Sequence, residues 1–314
     1  MNPEGNLCIT GNLNRQITAT YTLVVRVFDN GKQPLFSDVT VTVNVIEEST
    51  YSPEVSNIDV SISSYLDEFP GGVIAAVKAE DADKYDTLTY EVVSPNRHLF
   101  DIDKKDGRVI AFAGLDAGLY LINVSVSDGK YTAFGAVNIE VSTVTEDMIA
   151  NSITIQFENM ESETFIKSYR KDFQKVLKRE LNVRARDVEI LSVQNSKETV
   201  DIANRKKRDA DNNVDILFAV KKGQEFIPQQ KLKRKVQRAV PSFEEDMEVK
   251  VLKVFSDVCE PGLCEGGECA GYLEFDKDSL VPVFMDGGSF VSAKHRYTYE
   301  CVCPNGDVGE LERK

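Results

Sequence analysis

Apolar side chains alternate strongly through residues 20–46 and again in short segments within 57–144, and no other feature constrains the fold more. In TYTLVVRVFDNG, Tyr21, Leu23, Val25 and Val27 share one face; after the turn at Asp29-Asn30-Gly31, SDVTVTVNVI alternates again. A period of two is that of a half-buried strand, so this stretch predicts an antiparallel pair. Six further short β segments lie within 57–144: VIAAVKAEDAD, DTLTYEVV, LFDID, GRVIAF, GLYLINVSVSDG and TAFGAVNIEVS. Short strands separated by turn residues at this spacing predict a β-sandwich. YTLVVRVFDNG…VTVTVNV and YLINVSVSDG…GAVNIEV share the order strand, Asp-x-Gly turn, strand, the mark of tandem modules.

At residue 152 the period changes. SITIQFE reads as a strand, and residues 162–181 place Phe165, Ile166, Tyr169, Phe173, Val176 and Leu177 at helical spacing. DVEILSV and VDILFAV are strands. Pro228 opens a second helix striped by Leu232, Val236 and Val240, with Pro241 just beyond it, and MEVKVLKV is the last strand. The order β-α-β-β-α-β implies one antiparallel sheet with two helices on one face, a ferredoxin-like arrangement shared by SEA modules.

Charge divides the chain in the same way. Residues 1–158 hold 10 basic and 23 acidic side chains, 159–258 hold 22 and 17, and 259–314 hold 5 and 11. The acidic first block repels phosphate and argues against nucleic acid; it suits Ca²⁺, which prefers carboxylate oxygens. Five of the six cysteines (Cys259, Cys264, Cys269, Cys301 and Cys303) lie in the last 56 residues. That density predicts a disulfide framework in an oxidising, extracytoplasmic compartment; the competing zinc ribbon would want paired C-x2-C, and the spacings are C-x4-C-x4-C and C-x-C. No 18-residue apolar run is present. The N-terminus has neither the basic region nor the apolar core of a signal peptide, so the chain reads as a fragment of a longer one.

Asp81 and Asp83, with Asp128 in the SDG turn, are the candidate Ca²⁺ ligands: carboxylates at i and i+2 can turn to one cation, and a third can join from a distant turn. The competing reading is a solvated acidic turn. Arg205-Lys206-Lys207-Arg208 precedes Asp209 in a long polar connection between two strands, and such a basic run suits a secretory proprotein convertase. The alternatives are a solvated charge run and a nuclear signal, the latter at odds with the disulfides. Asn123-Val124-Ser125 is the only N-glycosylation sequon, and the alternation of YLINVSV points Asn123 outward. The basic helical run 229–238 reads as the wet face of an amphipathic helix. His98 and His295 are the only histidines and both read as surface residues; no catalytic motif accompanies them, so no enzyme is expected.

The segments AxDxD, F-x-I-(x)n-G-x-I, Y-x-L-x-V-x-V-x-D-G and V-x-V-x-V resemble the pattern of cadherin repeats, and residues 1–145 look like one and a half of them. In that family Ca²⁺ stiffens each junction between repeats. Its ligands come from a Glu near the repeat start, LDRE and DxNDN segments, and the DxD and late Asp of the next repeat. Here Leu13-Asn14-Arg15-Gln16 stands for LDRE, Ile46-Glu47-Glu48-Ser49-Thr50-Tyr51-Ser52-Pro53 for DxNDNxP, and Leu115-Asp116-Ala117-Gly118 for the second LDRE. Asp81, Asp83 and Asp128 remain, so the resemblance implies a weak or vacant Ca²⁺ site and a flexible junction.

The order of modules, SITIQFENM…FIKSYRKDFQKVLKREL…RDVEILSVQ…VDILFAV followed by Cys-rich sequence, resembles the membrane-proximal ectodomain of Fat-like cadherins. Flamingo-type and invertebrate type III cadherins carry related segments. The resemblance implies a partial cadherin repeat over 1–48, a full repeat over 49–148, a ferredoxin-like module over 149–257 and a truncated EGF-like module over 258–314. The EGF-like pattern implies Cys259–Cys269 and Cys264–Cys301, leaving Cys303 without a partner. SEA-type modules self-cleave at a Gly-Ser, and no Gly occurs between Ser196 and Asn213. The implied function is cell–cell adhesion at the plasma membrane, in a single-pass protein that pairs with other cadherin ectodomains and meets a proprotein convertase. Neither nucleic acid nor a small-molecule substrate is expected. The alternative is the stalk of a cleaved signalling or planar-polarity receptor.

Overall fold

The computed structural model describes residues 6–9, 11–15, 17–46, 49–65, 69–196, 212–259, 264 and 268–302. Strands β1 (Thr20–Phe28) and β2 (Phe36–Asn44) form an antiparallel pair in register from Thr20↔Asn44 to Phe28↔Phe36. Asp29 closes the turn by accepting the Gly31 and Leu35 amides at 3.1 and 2.9 Å.

The sandwich that follows comprises β3 (Glu54–Val55), β4 (Ile58–Tyr65), β5 (Gly72–Ala76), β6 (Ala79–Glu80), β7 (Thr89–Val92), β8 (Phe100–Ile102), β9 (Arg108–Ala111), β10 (Gly118–Ser127) and β11 (Thr132–Val144). One sheet runs β4-β11-β10-β7 and the facing one β5-β9-β8, with β3 paired to β6. Alternate residues point inward, so Ile58, Val60 and Ile62, Ile122, Val124 and Val126, and Val137, Ile139 and Val141 meet Ile74, Phe100, Ile102 and Val109 in one core. Each such side chain contributes roughly 1.5–3 kcal/mol on burial.

Helix α1 (Glu146–Ala150) leads into the mixed module; its cap is Thr145, whose hydroxyl accepts the Met148 amide at 3.3 Å. Strand β12 (Ile153–Phe157) is followed by α2 (Ser162–Thr164), a π-helical turn at Phe165–Tyr169 and α3 (Arg170–Leu181). Strands β13 (Val188–Asn195), β14 (Val214–Lys222) and β15 (Glu225–Phe226) precede α4 (Gln229–Arg238), α5 (Val240–Met247) and β16 (Val251–Phe255). The sheet order is β13-β14-β12-β16, all antiparallel. Ile155, Phe157, Phe165, Phe173, Ile216 and Phe218 share one core with Leu232, Val236 and Phe243. Pro241, expected to stop the second helix, instead lies in the first turn of α5, where its missing N–H leaves no bond unmade.

The remaining strands are β17 (Glu268–Met285) and β18 (Gly288–Val302), a long antiparallel hairpin bulged between Asp276 and Leu280. It does not stand apart from the rest. Residues Gly288–Ser292 of β18 run parallel to Asp59–Ser63 of β4, so the six-stranded sheet is β17-β18-β4-β11-β10-β7. The Asp59 amide donates to the Gly287 carbonyl at 3.0 Å, and a Cβ on Gly288 would lie 2.0 Å from the Asp59 carbonyl oxygen. Only glycine allows that approach.

Beyond Ser292 the hairpin lies over the helix-free face of the mixed sheet. The Ser192 hydroxyl donates to the Ala293 carbonyl at 3.3 Å, and the Gln194 side chain both donates to the His295 carbonyl (2.9 Å) and accepts its amide (3.3 Å). The Tyr297 and Thr154 hydroxyls meet at 2.7 Å. From the sandwich side, the Ser63 hydroxyl donates to the Ile190 carbonyl at 3.3 Å, and Ser289 bonds the Ile74 carbonyl. Small hydroxyl residues at these contacts let the sheets approach closely while pairing backbone groups that burial would otherwise strand.

Candidate functional site: the junction between repeats and the disulfide-tied hairpin

The linker leaving β2 is held by side chains of the sandwich. Asp83 accepts the Thr50 amide at 2.6 Å and the Tyr51 amide at 2.8 Å, with the Ser49 hydroxyl at 3.4 Å. The Tyr51 and Thr50 amides hold its carboxyl below the usual carboxylate range. The Ser49 hydroxyl donates to Asp128 at 2.9 Å, and the Lys130 ammonium donates to the Ser49 carbonyl at 2.6 Å. Burial pushes the Asp128 carboxyl up, but the Tyr131 and Lys130 amides and the Ser49 hydroxyl outweigh it and the net shift is downward.

Asp81 uses one oxygen to accept the Asp83 amide at 2.8 Å. Its other oxygen, Oδ2, is buried with no hydrogen-bond partner, and so is Oδ2 of Asp86. Carboxylate oxygens of Asp81, Asp86 and Asp128 all lie within 4.8 Å of one another. Three converging carboxylates, two with an orphaned buried oxygen, are oxygen donors of the kind that could hold a hard cation such as Ca²⁺. Two of the three ligands anticipated from sequence, Asp81 and Asp128, are thus brought together. Asp83 turns to the linker amides, and Asp86 was not singled out; the signal that could have found it is a third acid in the same turn, DADKYD.

On the other side of the junction, Asn14 accepts the Ile17 amide at 3.3 Å, and the Arg15 guanidinium lies 4.6 Å from the centroid of the Tyr85 ring. Gln16, Glu47 and Glu48 lie outside the described residues. Glu54 and Glu80 face each other across β3 and β6, a like-charged pair beside this cluster. In the second LDRE equivalent, Leu115 is buried and the Asp116 carbonyl accepts the Tyr120 hydroxyl at 3.0 Å.

Disulfides join Cys259 to Cys269 and Cys264 to Cys301, the pairing that the resemblance implies. They tie the base of the hairpin, where Cys269 and Cys301 are cross-strand neighbours. Cys8 is free and exposed, and Cys303 lies outside the described residues.

His295 corrects the sequence reading. It is buried at 3% exposure rather than on the surface, between Phe275 and Tyr297. Burial lowers its pKa from the usual 6.5 to about 4, and Nδ1 has no hydrogen-bond partner. His98 is exposed, as expected. The run 229–238 shows its charged residues outward around buried Leu232 and Val236, with Lys233 bonded to Ser256 at 3.3 Å. Asn123 is exposed on β10. The basic run Arg205, Lys206, Lys207, Arg208 lies outside the described residues; the residues flanking that connection are paired, Ser196 donating to the Asn213 carbonyl at 2.8 Å.

No protein-family profile matches the chain. It is 33% identical over 98% of its length to the Fat-like cadherin-related tumor suppressor homolog of Drosophila melanogaster, and 34% identical over 98% to Protocadherin Fat 1 of Homo sapiens. It is 25% identical over 98% to Cadherin EGF LAG seven-pass G-type receptor 1 of Mus musculus. Among solved structures, Protocadherin Gamma B2 extracellular cadherin domains 1–5 match 43% of the chain and 28% of that chain at 19% identity, with a TM-score of 0.29. The sandwich and its Asp-rich junction, together with these relatives, define a cadherin. Within that class the chain belongs to the Fat-like cadherins. It spans 7% and 6% of the length of the first two relatives, which are cadherins and not enzymes.

Proposed function

We propose that this segment is the membrane-proximal part of an extracellular Fat-like cadherin ectodomain. In this reading it carries cell–cell adhesion from the outer repeats to a single-pass membrane anchor and pairs with other cadherin ectodomains. The mixed module is taken as ferredoxin-like, related to SEA modules, and the disulfide-tied segment as an EGF-like module whose third and fourth cysteines are separated by the hairpin. One observation carries the proposal: β18 is shared between the sandwich and the mixed module, so the unit has the stiffness that load transfer requires. The test replaces this segment in the full-length protein with a flexible linker of equal length and measures aggregation and detachment force of cells with equal surface protein. Detachment force should fall; unchanged force overturns the proposal.

At the junction, Asp81, Asp86 and Asp128 would hold Ca²⁺ while Asp83 holds the linker. Bound there, the ion would neutralise the three carboxylates and brace the second repeat against the first.

A second reading is favoured by the Ser196–Asn213 pair. Convertase cleavage after Arg208 would open a connection whose ends are already bonded within one sheet. The cut chain would stay together as a processed receptor stalk, and force-dependent separation of the two pieces would distinguish this role from simple adhesion.

A further inference from the structure

The outward face of the sandwich has an apolar strip that none of the described residues covers. Leu119 and Leu121 on β10 are 82% and 52% exposed, Val93 beside it 45% and Phe134 on β11 66%. Outward positions on a half-buried sheet are ordinarily polar, and four large apolar side chains on one small area need a reason.

The register supplies one. Asn123 lies next to Leu121 on the same face of β10 and directly opposite Ala136 of β11, while Ser125 is opposite Phe134. The Val93 amide bonds the Asn123 carbonyl at 2.9 Å on the other side. Phe134 is therefore the diagonal neighbour of Asn123, within reach of a group attached there. The exposed acceptor of the sequon Asn123-Val124-Ser125 stands at the centre of the strip.

We propose that Asn123 carries an N-linked glycan whose first sugars lie over Leu121, Val93 and Phe134, covering this face and keeping it out of protein–protein contact. The inference rests on the extracellular reading above. The donor is a lipid-linked oligosaccharide pyrophosphate. The Asn123 side-chain nitrogen forms the bond to the anomeric carbon, the bond from that carbon to the pyrophosphate breaks, and the amide proton leaves with the lipid pyrophosphate. Transfer precedes folding, so a mid-strand position is no obstacle. The finished sheet need only leave the side chain outward, as it does here. An N-acetylglucosamine presents a C–H face suited to Phe134, and its hydroxyls turn the strip polar.

The test expresses the full 314-residue chain in secreting, glycosylation-competent cells. Peptide mass spectrometry reads Asn123 occupancy. Hydroxyl-radical footprinting reads the exposure of Leu121 and Phe134 in the native protein, in protein treated with peptide N-glycosidase, and in Asn123→Gln and Ser125→Ala. Occupancy at Asn123 with severalfold higher oxidation of Phe134 after glycan removal is the expected result, and the enzyme-treated protein shows it even if a variant folds poorly. Secreted, disulfide-bonded protein with unmodified Asn123 overturns the inference while leaving the extracellular reading intact; protein retained without disulfides strikes at that reading instead. A glycan whose removal leaves Phe134 oxidation unchanged, or native protein that self-associates through this face, also overturns the inference.

Discussion

Phe290 and Val291 are adjacent on β18 and are buried in two different cores, Phe290 with the helices of the mixed module and Val291 with the sandwich. Successive residues of a strand point to opposite faces, so one strand between two layers seals both. The Arg170 guanidinium lies 5.4 Å from the Phe290 ring centroid and Lys167 pairs with Asp286 at 3.1 Å, closing the hairpin tip against the π-helical turn and α3.

Phe290→Ala should lower the stability of the mixed module by about 3–5 kcal/mol, the range for a large buried aromatic. Val291→Ala should act on the sandwich, by up to about 3 kcal/mol. Because both residues belong to one strand, hydrogen exchange should rise in both modules with either variant. Faster exchange confined to one module would show that the hairpin does not couple them.

Gly288→Val places a side chain on the Asp59 carbonyl. We expect the β18–β4 pairing to open at a cost of about 1–3 kcal/mol, typical of overpacking. The Asp59 amide and those within Asp59–Ser63 that face β18 should lose protection, while β4 amides bonded to β11 and the antiparallel β12–β14 pairs keep theirs. Gly114→Val, where a Cβ meets nothing within 4 Å but φ is +79°, controls for backbone strain alone.

His295 gives the fold a pH dependence. Its folded pKa, about 4, lies below the usual 6.5. The unfolded chain therefore binds the proton first, and stability present above pH 6.5 is lost as pH falls towards 4, by about 3 kcal/mol at the limit. Asp215 works the other way: burial raises its carboxyl pKa against the Ser196 and Gln156 hydrogen bonds, so its charge penalises the fold at neutral pH and protonation relieves it. Denaturant melts of His295→Phe should lose the decline between pH 6.5 and 4. Those of Asp215→Asn should be more stable than wild type near pH 7.

Calorimetry at the junction should find weak Ca²⁺ binding, with Kd about 10⁻⁴–10⁻³ M, the range of extracellular modules. Asp81→Asn and Asp86→Asn should abolish it. Asp83→Asn should leave the ion bound but free the linker amides, seen as faster exchange at Thr50 and Tyr51. Micromolar binding of several ions contradicts this assignment.

Convertase-treated protein should run as one species in native size exclusion and as two in denaturant, and Arg205→Ala with Arg208→Ala should stay uncut. The two pieces share Ile155, Phe157, Phe165 and Phe173 from one side and Ile216 and Phe218 from the other, all buried. Closure entropy of the opened connection grows only slowly with its length, so that shared core outweighs it.

Local pattern carried most of the secondary structure. Period two marked β1, β2, β10 and β11, and the 3.6-residue stripe marked Phe165 to Leu177 and Leu232 to Val236. Strand β4 was missed because Ser61, Ser63 and Ser64 dilute its apolar signal, and it is where the hairpin docks. The hairpin was unseen as well: His295 read as a surface residue, yet it, Ser289 and Ser292 are buried between sheets that meet only in the folded chain. A parallel pairing more than two hundred residues apart leaves no trace in any local window. Asp81 was legible as a candidate because its turn is Asp-rich, and Asp128 because it opens an Asp-Gly turn; that Asp83 faces the linker depends on Thr50 and Tyr51, more than thirty residues away.

The parallel direction of β18 and β4 decides how this region bears tension. Consider a pull entering through Pro53 and leaving through the disulfide-tied base at Cys301. It draws β4 towards its N-terminal end and β18 towards its C-terminal end. The two strands then slide lengthwise against each other, and every hydrogen bond from Asp59 to Ser292 is stretched together. An antiparallel hairpin pulled at its open end would instead unzip one bond at a time. Loaded in shear, the joint resists until it fails as a whole.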